Sequence, residues 1–178
     1  SEMCIRDSIH HPYNKGNGAS VKSGIRAAQG EFVLVFDGDG QHLASDAKRL
    51  LSRLSNYELV IVSRPATSQA TIGRRLGNAF LNRLASYLTS TNIEDLTSGL
   101  RAARATHFRE FLHLLPNGFS TPTTTTLAFI KSGYSICFEP TEARPRTGTS
   151  KIKFLQDGIK FVLIVLRVVT LYLSLIHI

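Results

Sequence analysis

Apolar residues fall into two kinds of run along this chain. Phe32-Val33-Leu34-Val35-Phe36 and Leu59-Val60-Ile61-Val62 are short and uninterrupted, and Ser135–Glu139 is a third short segment of extended character. Continuous runs of β-branched and aromatic residues predict strands buried on both faces, as inside a parallel sheet. Between them, apolar positions recur every three or four residues, which predicts helices with one face on a core. The spacing predicts helices over Ala19–Ala28, stopped by Gly30, and over Asp46–Leu54, with Ser45 as its cap and Leu50, Leu51 and Leu54 as its stripe. It predicts a third over Leu76–Leu88, with Phe80, Leu81, Leu84 and Leu88 toward the core, and two more over Ala105–Leu114 and Thr121–Lys131, the last despite four consecutive threonines. An α/β fold follows: an open, mostly parallel sheet with flanking helices.

Ligands of open α/β sheets sit outside the carboxyl ends of the strands. The first apolar run ends there in Asp37-Gly38-Asp39-Gly40-Gln41. In extended chain, residues two apart point the same way, so Asp37, Asp39 and Gln41 can present their oxygens together. Two carboxylates and an amide oxygen suit Mg²⁺ or Mn²⁺, and a cation held by so few protein oxygens keeps positions open for phosphates. An Asp-Gly hairpin turn is the plainer alternative, but a helical pattern follows where a second strand is needed. An EF-hand loop is excluded, because its twelfth position is Lys48 in place of a bidentate glutamate.

Other segments carry phosphate chemistry more weakly. The loop from His10 to Gly18 leads into the first helix and contains Asn14, Gly16 and Gly18, but Val21 before Lys22 rules out a Walker A motif. Arg64 follows the second strand and so falls on the same rim as Asp37. Arg74 and Arg75 open a helix, where cations oppose the dipole unless an anion is bound. Asp95-Leu96-Thr97-Ser98-Gly99-Leu100-Arg101 is a compact polar segment before the next helix, in which Asp95 can brace and Arg101 can reach anions. Arg144–Lys151, with Arg146 and Lys151, reads as a phosphate-gripping loop.

From Ile152 the pattern changes. Lys153, Asp157, Lys160 and Arg167 share one helical face and Phe154, Leu155, Ile159 and Val162 another, the signature of a basic amphipathic helix lying on a membrane. Residues 151–178 are therefore expected to form a membrane-associated helix after a domain at 9–150. Residues 1–8 and 173–178 read as non-native ends, so the chain is expected to be a piece of a longer one. The formal net charge of +8 over 178 residues favours an anionic partner. Nucleic acid is disfavoured, since Trp is absent and no aromatic–basic interleaving or nucleic-acid motif occurs. Cys4 and Cys137 make no disulfide framework, so a reducing compartment is the default.

Taken in order, Asn14-Lys15-Gly16-Asn17-Gly18-Ala19, Asp37-Gly38-Asp39-Gly40-Gln41-His42, Ser63-Arg64, Arg74-Arg75-Leu76-Gly77-Asn78, Asp95–Arg101 and Arg146–Lys151 resemble the family 2 glycosyltransferases, especially the dolichyl-phosphate mannosyltransferase and polyprenyl-phosphate glycosyltransferase branch. The resemblance implies a GT-A, Rossmann-like fold, a GDP- or UDP-sugar donor, a divalent metal and inverting transfer of a hexose at the cytoplasmic face of a membrane. It implies that Asp37, Asp39 and Gln41 hold metal and donor diphosphate. Arg64 and Arg74 would grip phosphates, Asn14, Gly16, Gly18, Ser98 and Arg101 would line the substrate site, and Arg146 and Lys151 would meet the lipid phosphate. The turn and strands that precede Asn14 in the family, and that hold the nucleotide base, are missing. Leu100 replaces the usual Phe. The acid that saccharide-acceptor members carry near Thr123–Thr126 is absent.

That absence has a chemical counterpart. A sugar hydroxyl needs a general base to become a nucleophile, whereas a phosphate monoester is ionised at neutral pH. A chain rich in arginine and poor in candidate bases is therefore expected to use a polyprenyl phosphate as acceptor, with direct transfer to a saccharide as the alternative.

Overall fold

The computed structural model describes residues 8–38, 43–64, 72–118, 120–141, 162–168 and 170. Asp39, Gln41, Arg146, Lys151, Cys4 and the 152–161 part of the expected amphipathic helix lie outside them. Helix α1 (Asn17–Ala27) precedes strand β1 (Phe32–Val35), helix α2 (Ala44–Arg53), strand β2 (Leu59–Ser63) and helix α3 (Ile72–Thr89). Strand β3 (Arg101–Arg104), helix α4 (Ala105–Glu110), helix α5 (Thr121–Lys131) and strand β4 (Ile136–Pro140) follow.

The sheet order is β1-β3-β2-β4. β1, β2 and β4 share one direction, β2 pairing parallel with β4, and β3 is inserted antiparallel between β1 and β2. The sheet is thus mixed. β3 is the element that periodicity did not predict. Its sequence, Arg-Ala-Ala-Arg, has no β-branched or aromatic residue, yet Ala102 and Ala103 are fully buried in the middle of the sheet. Tertiary pairing on both edges overrides weak local propensity.

Alternation along the strands divides the core in two. Val33, Val35, Leu59, Ile61 and Ala103 face α1, α4 and α5 through Ile25, Phe108 and Phe129. Leu34, Val60, Val62, Leu100 and Ala102 face α2 through Leu50 and Leu54. Helices cover both faces, as a fold that buries its sheet on both sides requires.

Several expectations are corrected. β1 is not buried along its whole length: Phe32 and Phe36 at its ends are exposed, and among the described residues it is an edge strand that pairs only with β3. α2 begins at Ala44, so Ser45 is inside its first turn. Asp46, nearly buried, reaches back to accept from the Leu43 N–H (3.2 Å) and receives Arg49 Nη2 at 2.7 Å. Phe80 is solvent-exposed, because the inward stripe of α3 is Leu81 and Ala85 and Phe80 sits 100° away from Leu81 on the helix. The helix expected to Leu114 ends at Glu110 and continues as turns. α5 takes its predicted bounds. Its threonines Thr125 and Thr126 donate back to Thr121 O (2.8 Å) and Pro122 O (3.1 Å), which satisfies two hydroxyls within a buried helix.

Residues 162–168 are helical, and Val165 and Val168 pack with Ala85, Ile93, Leu96 and Leu127. This part of the C-terminal segment therefore rests on the core. Among the described residues, no helix is long and apolar enough to cross a membrane.

The carboxyl of Asp46 is held below the usual carboxylate range; burial pushes it up, but the Leu43 N–H and Arg49 outweigh that cost. A depressed folded-state pKa adds stability that is present above the unfolded value and is lost as pH falls through the folded one. Asp46→Ala is accordingly expected to lose about 1 kcal/mol at pH 7. The difference from the parent should shrink below about pH 4, the ordinary aspartate value, when urea unfolding is followed against pH.

Candidate functional site

The carboxyl ends of β1, β2 and β4 and the amino end of β3 meet on one rim. Asp37 emerges two residues after β1 and Arg64 directly after β2, so the sequence expectation that they share a rim agrees with the fold. Asp37 is exposed. Val35 pairs with Arg101, and two residues further in the same register Asp37 stands beside Gly99. The carboxylate lies so close to Gly99 that a Cβ there would overlap Asp37 Oδ2. Glycine at 99 therefore leaves the space the Asp37 carboxylate occupies, and a side chain there would push the carboxylate aside; motif reading quoted this glycine without assigning it a role.

Arg64 is engaged with protein. Its Nε donates to Asp95 Oδ2 at 2.8 Å and its Nη2 to Asp95 Oδ1 at 3.0 Å and Thr97 Oγ1 at 2.8 Å, while its backbone N–H meets Oδ2 at 3.3 Å. Asp95 in turn receives the Thr97 N–H and hydroxyl. A bidentate arginine–carboxylate pair with the acid only 5 % exposed ties the end of β2 to the segment before β3.

Arg101 turns inward. It is 2 % exposed, and its Nη1 donates to Pro122 O (2.6 Å) and Thr126 Oγ1 (3.2 Å) while Nη2 donates to Ser98 O. Burial pulls its pKa down to about 10, against the upward pull of Asp95 and Asp37, so it stays charged at neutral pH. Ser98 is buried, and its Oγ finds no partner among the described residues.

Gly16 and Gly18 serve close packing. Gly16 adopts φ 94°, and a Cβ on Gly18 would overlap Pro116 O. The N–H groups of Gly18 and Ala19 donate to Gly118 O (3.1 Å) and Asn117 O (2.9 Å), and the Gly16 N–H to Asn14 Oδ1 (3.0 Å). The amino end of α1 is thus clamped on the turn before α5. Asn17 from α1 and Thr121, Pro122 and Thr125 from α5 join Asp37, Gly99 and Arg101 around a cavity of about 20 Å³, room for one water. Asn17 and Thr121 were not singled out by sequence reasoning; only the docking of α1 on α5 brings them to Asp37.

Arg74 lies in the first turn of α3. Among the described residues no cluster of three His, Cys, Asp or Glu could hold a metal. Asp37 is the one described member of the expected triad, since Asp39 and Gln41 are outside.

Comparison with known proteins follows the same lines. Residues 7–112 match the family described as Glycosyl transferase family 2. The chain is 30% identical over 150 residues to glycosyltransferase AglJ of Haloferax volcanii, covering 80% of this chain and 49% of that protein. It is 29% identical over 149 residues to a dolichyl-phosphate hexose transferase of the same organism, covering 81% of this chain and 64% of that protein. A third relative, 29% identical over 104 residues and covering 53% of this chain and 41% of its own length, is a UDP-N-acetylglucosamine–dolichyl-phosphate N-acetylglucosaminyltransferase of Methanococcus voltae. The chain thus spans between about two fifths and two thirds of the length of these relatives. In fold it is similar to glucosyl-3-phosphoglycerate synthase of Mycobacterium tuberculosis, with a TM-score of 0.68 at 16% identity over 90% of this chain and 57% of that one. The same enzyme has been solved with Mn²⁺, UDP-glucose and glycerol 3-phosphate, and that structure gives a TM-score of 0.58 at 16% identity over 87% of this chain and 55% of that one.

Proposed function

Because the chain belongs to glycosyl transferase family 2, we propose that it is part of a transferase that moves a hexose from a nucleotide-sugar to a polyprenyl phosphate. The observation that carries this reading is the placement of Asp37 at the carboxyl end of β1, exposed and held against Gly99. An exposed carboxylate on this rim is a hard-oxygen donor and fits Mg²⁺ or Mn²⁺. Asp37 would hold the metal, with Asp39 and Gln41 completing the set by sequence. A bound divalent cation supplies charge neutralisation for the departing diphosphate.

What surrounds Asp37 among the described residues supports the choice of acceptor. The adjoining cavity is lined by no second acid and no histidine, so no described residue there is placed to deprotonate a sugar hydroxyl. An acceptor that arrives ionised needs none. The relatives named for dolichyl phosphate support the same choice.

The surface supports a lipid-bound acceptor as well. α3 carries Arg74, Arg75 and Arg83 and no acid, and Leu76, Phe80 and Tyr87 are 67%, 61% and 82% exposed. The 162–168 segment, which shares a core cluster with α3, exposes Leu163, Leu166 and Arg167. Apolar side chains edged by cations suit the headgroup region of an anionic bilayer. These features support a reading in which the transferase works at a membrane surface, at the cytoplasmic face that the family resemblance implies.

The reading is tested with UDP- and GDP-sugars and Mn²⁺ or Mg²⁺, offering a polyprenyl phosphate and a free saccharide in parallel. Metal-dependent transfer to the lipid phosphate is expected; transfer to the saccharide alone would refute the choice of acceptor. Exchanging Leu76, Phe80 and Tyr87 together for Ser is expected to lower partitioning to phosphatidylglycerol vesicles at least about tenfold, which is roughly 1.4 kcal/mol. Unchanged flotation with these vesicles would remove α3 from the membrane contact.

A further inference from the structure

We propose that Arg101 is a positioning residue for Asp37 and not a substrate ligand: a buried guanidinium beneath the rim that fixes where the carboxylate stands. The inference rests on the reading of Asp37 as a metal and donor ligand, and it reassigns a residue whose motif had suggested anion binding.

Four observations meet here. Arg101 is 2% exposed and two of its nitrogens bond protein oxygens, Pro122 O, Thr126 Oγ1 and Ser98 O, so its guanidinium is withheld from a ligand in solution. Its Cα partner is Val35, and strand alternation puts its side chain on the same face as Val35 and Asp37. Asp37 and Arg101 line one small cavity with Gly99 between them in the chain register. Finally, Arg101 Nε is buried without an acceptor among the described residues.

A buried charge persists only when it is compensated. The carboxylates that attract Arg101 are Asp95 and Asp37, while Arg64 repels it. Asp95 already serves Arg64 through two bonds. Part of the attraction therefore acts on Asp37, which lines the same cavity, and draws its carboxylate down against Gly99. Through Pro122 and Thr126, the same side chain locks α5 under the rim. One residue thus sets both the acid and the wall facing it.

The full chain is tested as wild type, Arg101→Met, Arg101→Lys and Asp37→Asn. Crystal structures locate residue 37, and calorimetry measures binding of Mn²⁺ with UDP or GDP. In Arg101→Met, Asp37 is expected to leave Gly99 and the Mn²⁺–nucleotide affinity to fall at least about tenfold. Arg101→Lys keeps the charge and is expected to stay within about threefold of wild type, a rescue that a purely packing role would not show. Asp37 unmoved in a folded Arg101→Met with unchanged affinity overturns the inference. If Arg101→Met does not fold, Arg101→Lys decides: Asp37 in place supports the proposal, and Asp37 displaced refutes it. Wild-type affinity in Asp37→Asn would sink the metal reading alone, since the position of Asp37 in the Arg101 variants still reports on this inference.

Discussion

Asp37→Asn is expected to reduce sugar transfer at least about 100-fold, the scale on which loss of one preorganised electrostatic group acts. The substitution keeps the shape of the side chain and its fit beside Gly99, so what it removes is charge. Asp37 is exposed, so its charge is well screened, and Asp95 remains as the stronger counter-charge to Arg101. The melting temperature should therefore fall by no more than a few degrees, which separates a chemical defect from an unfolded one. The loss should appear in metal dependence too: the parent is expected to lose transfer on chelation and regain it with Mn²⁺ or Mg²⁺, whereas Asp37→Asn should stay low at saturating metal. A variant that retains a tenth or more of parental transfer would show that the rim acid does not meet the diphosphate.

Asp95→Ala should produce the largest stability loss among the rim residues, about 3 kcal/mol. Its carboxylate is 5% exposed and receives Arg64 at two nitrogens, the Arg64 and Thr97 N–H groups and the Thr97 hydroxyl. Truncation leaves Arg64, only a quarter exposed, beside an empty position and removes a counter-charge from fully buried Arg101. For a chain of this size, the expected fall in melting temperature is roughly 6–12 °C. Arg64→Ala should cost less, since the acid it abandons keeps its Thr97 bonds. A double-mutant cycle on Arg64 and Asp95, followed by thermal unfolding, should return a coupling above about 1 kcal/mol; a value near zero would mean that the pair is not what joins β2 to the segment before β3.

The residues of the rim differ in how far they could be read from the chain. Asp37 was legible because its signal is local: an apolar run, a stop, and acids two apart. Arg64 was placed on the correct rim by the same logic, since strands of one direction in a sheet end on the same rim whether or not they are neighbours. Arg101 was legible as a residue of interest but not in its orientation. An arginine in a polar segment reads as surface, and only the pairing of β3 between β1 and β2 turns it inward. Gly16 and Gly18 invite a phosphate-loop reading for a related reason. Glycine signals close approach, but the sequence does not say whether what approaches is a ligand or, as here, the turn at Pro116–Gly118.

By itself the sequence determined the helices, the three apolar strands and the acid at the end of the first, because helical and strand periodicities are written in neighbours a few residues apart. Tertiary structure alone decided that Arg-Ala-Ala-Arg is a central strand, that β1 has one open edge among the described residues, that Phe80 faces water, and that Arg101 lies beneath Asp37. Each of these depends on partners tens of residues distant, where small side chains gain burial from neighbouring strands and a charge gains compensation from acids on other elements. No local pattern records such partners.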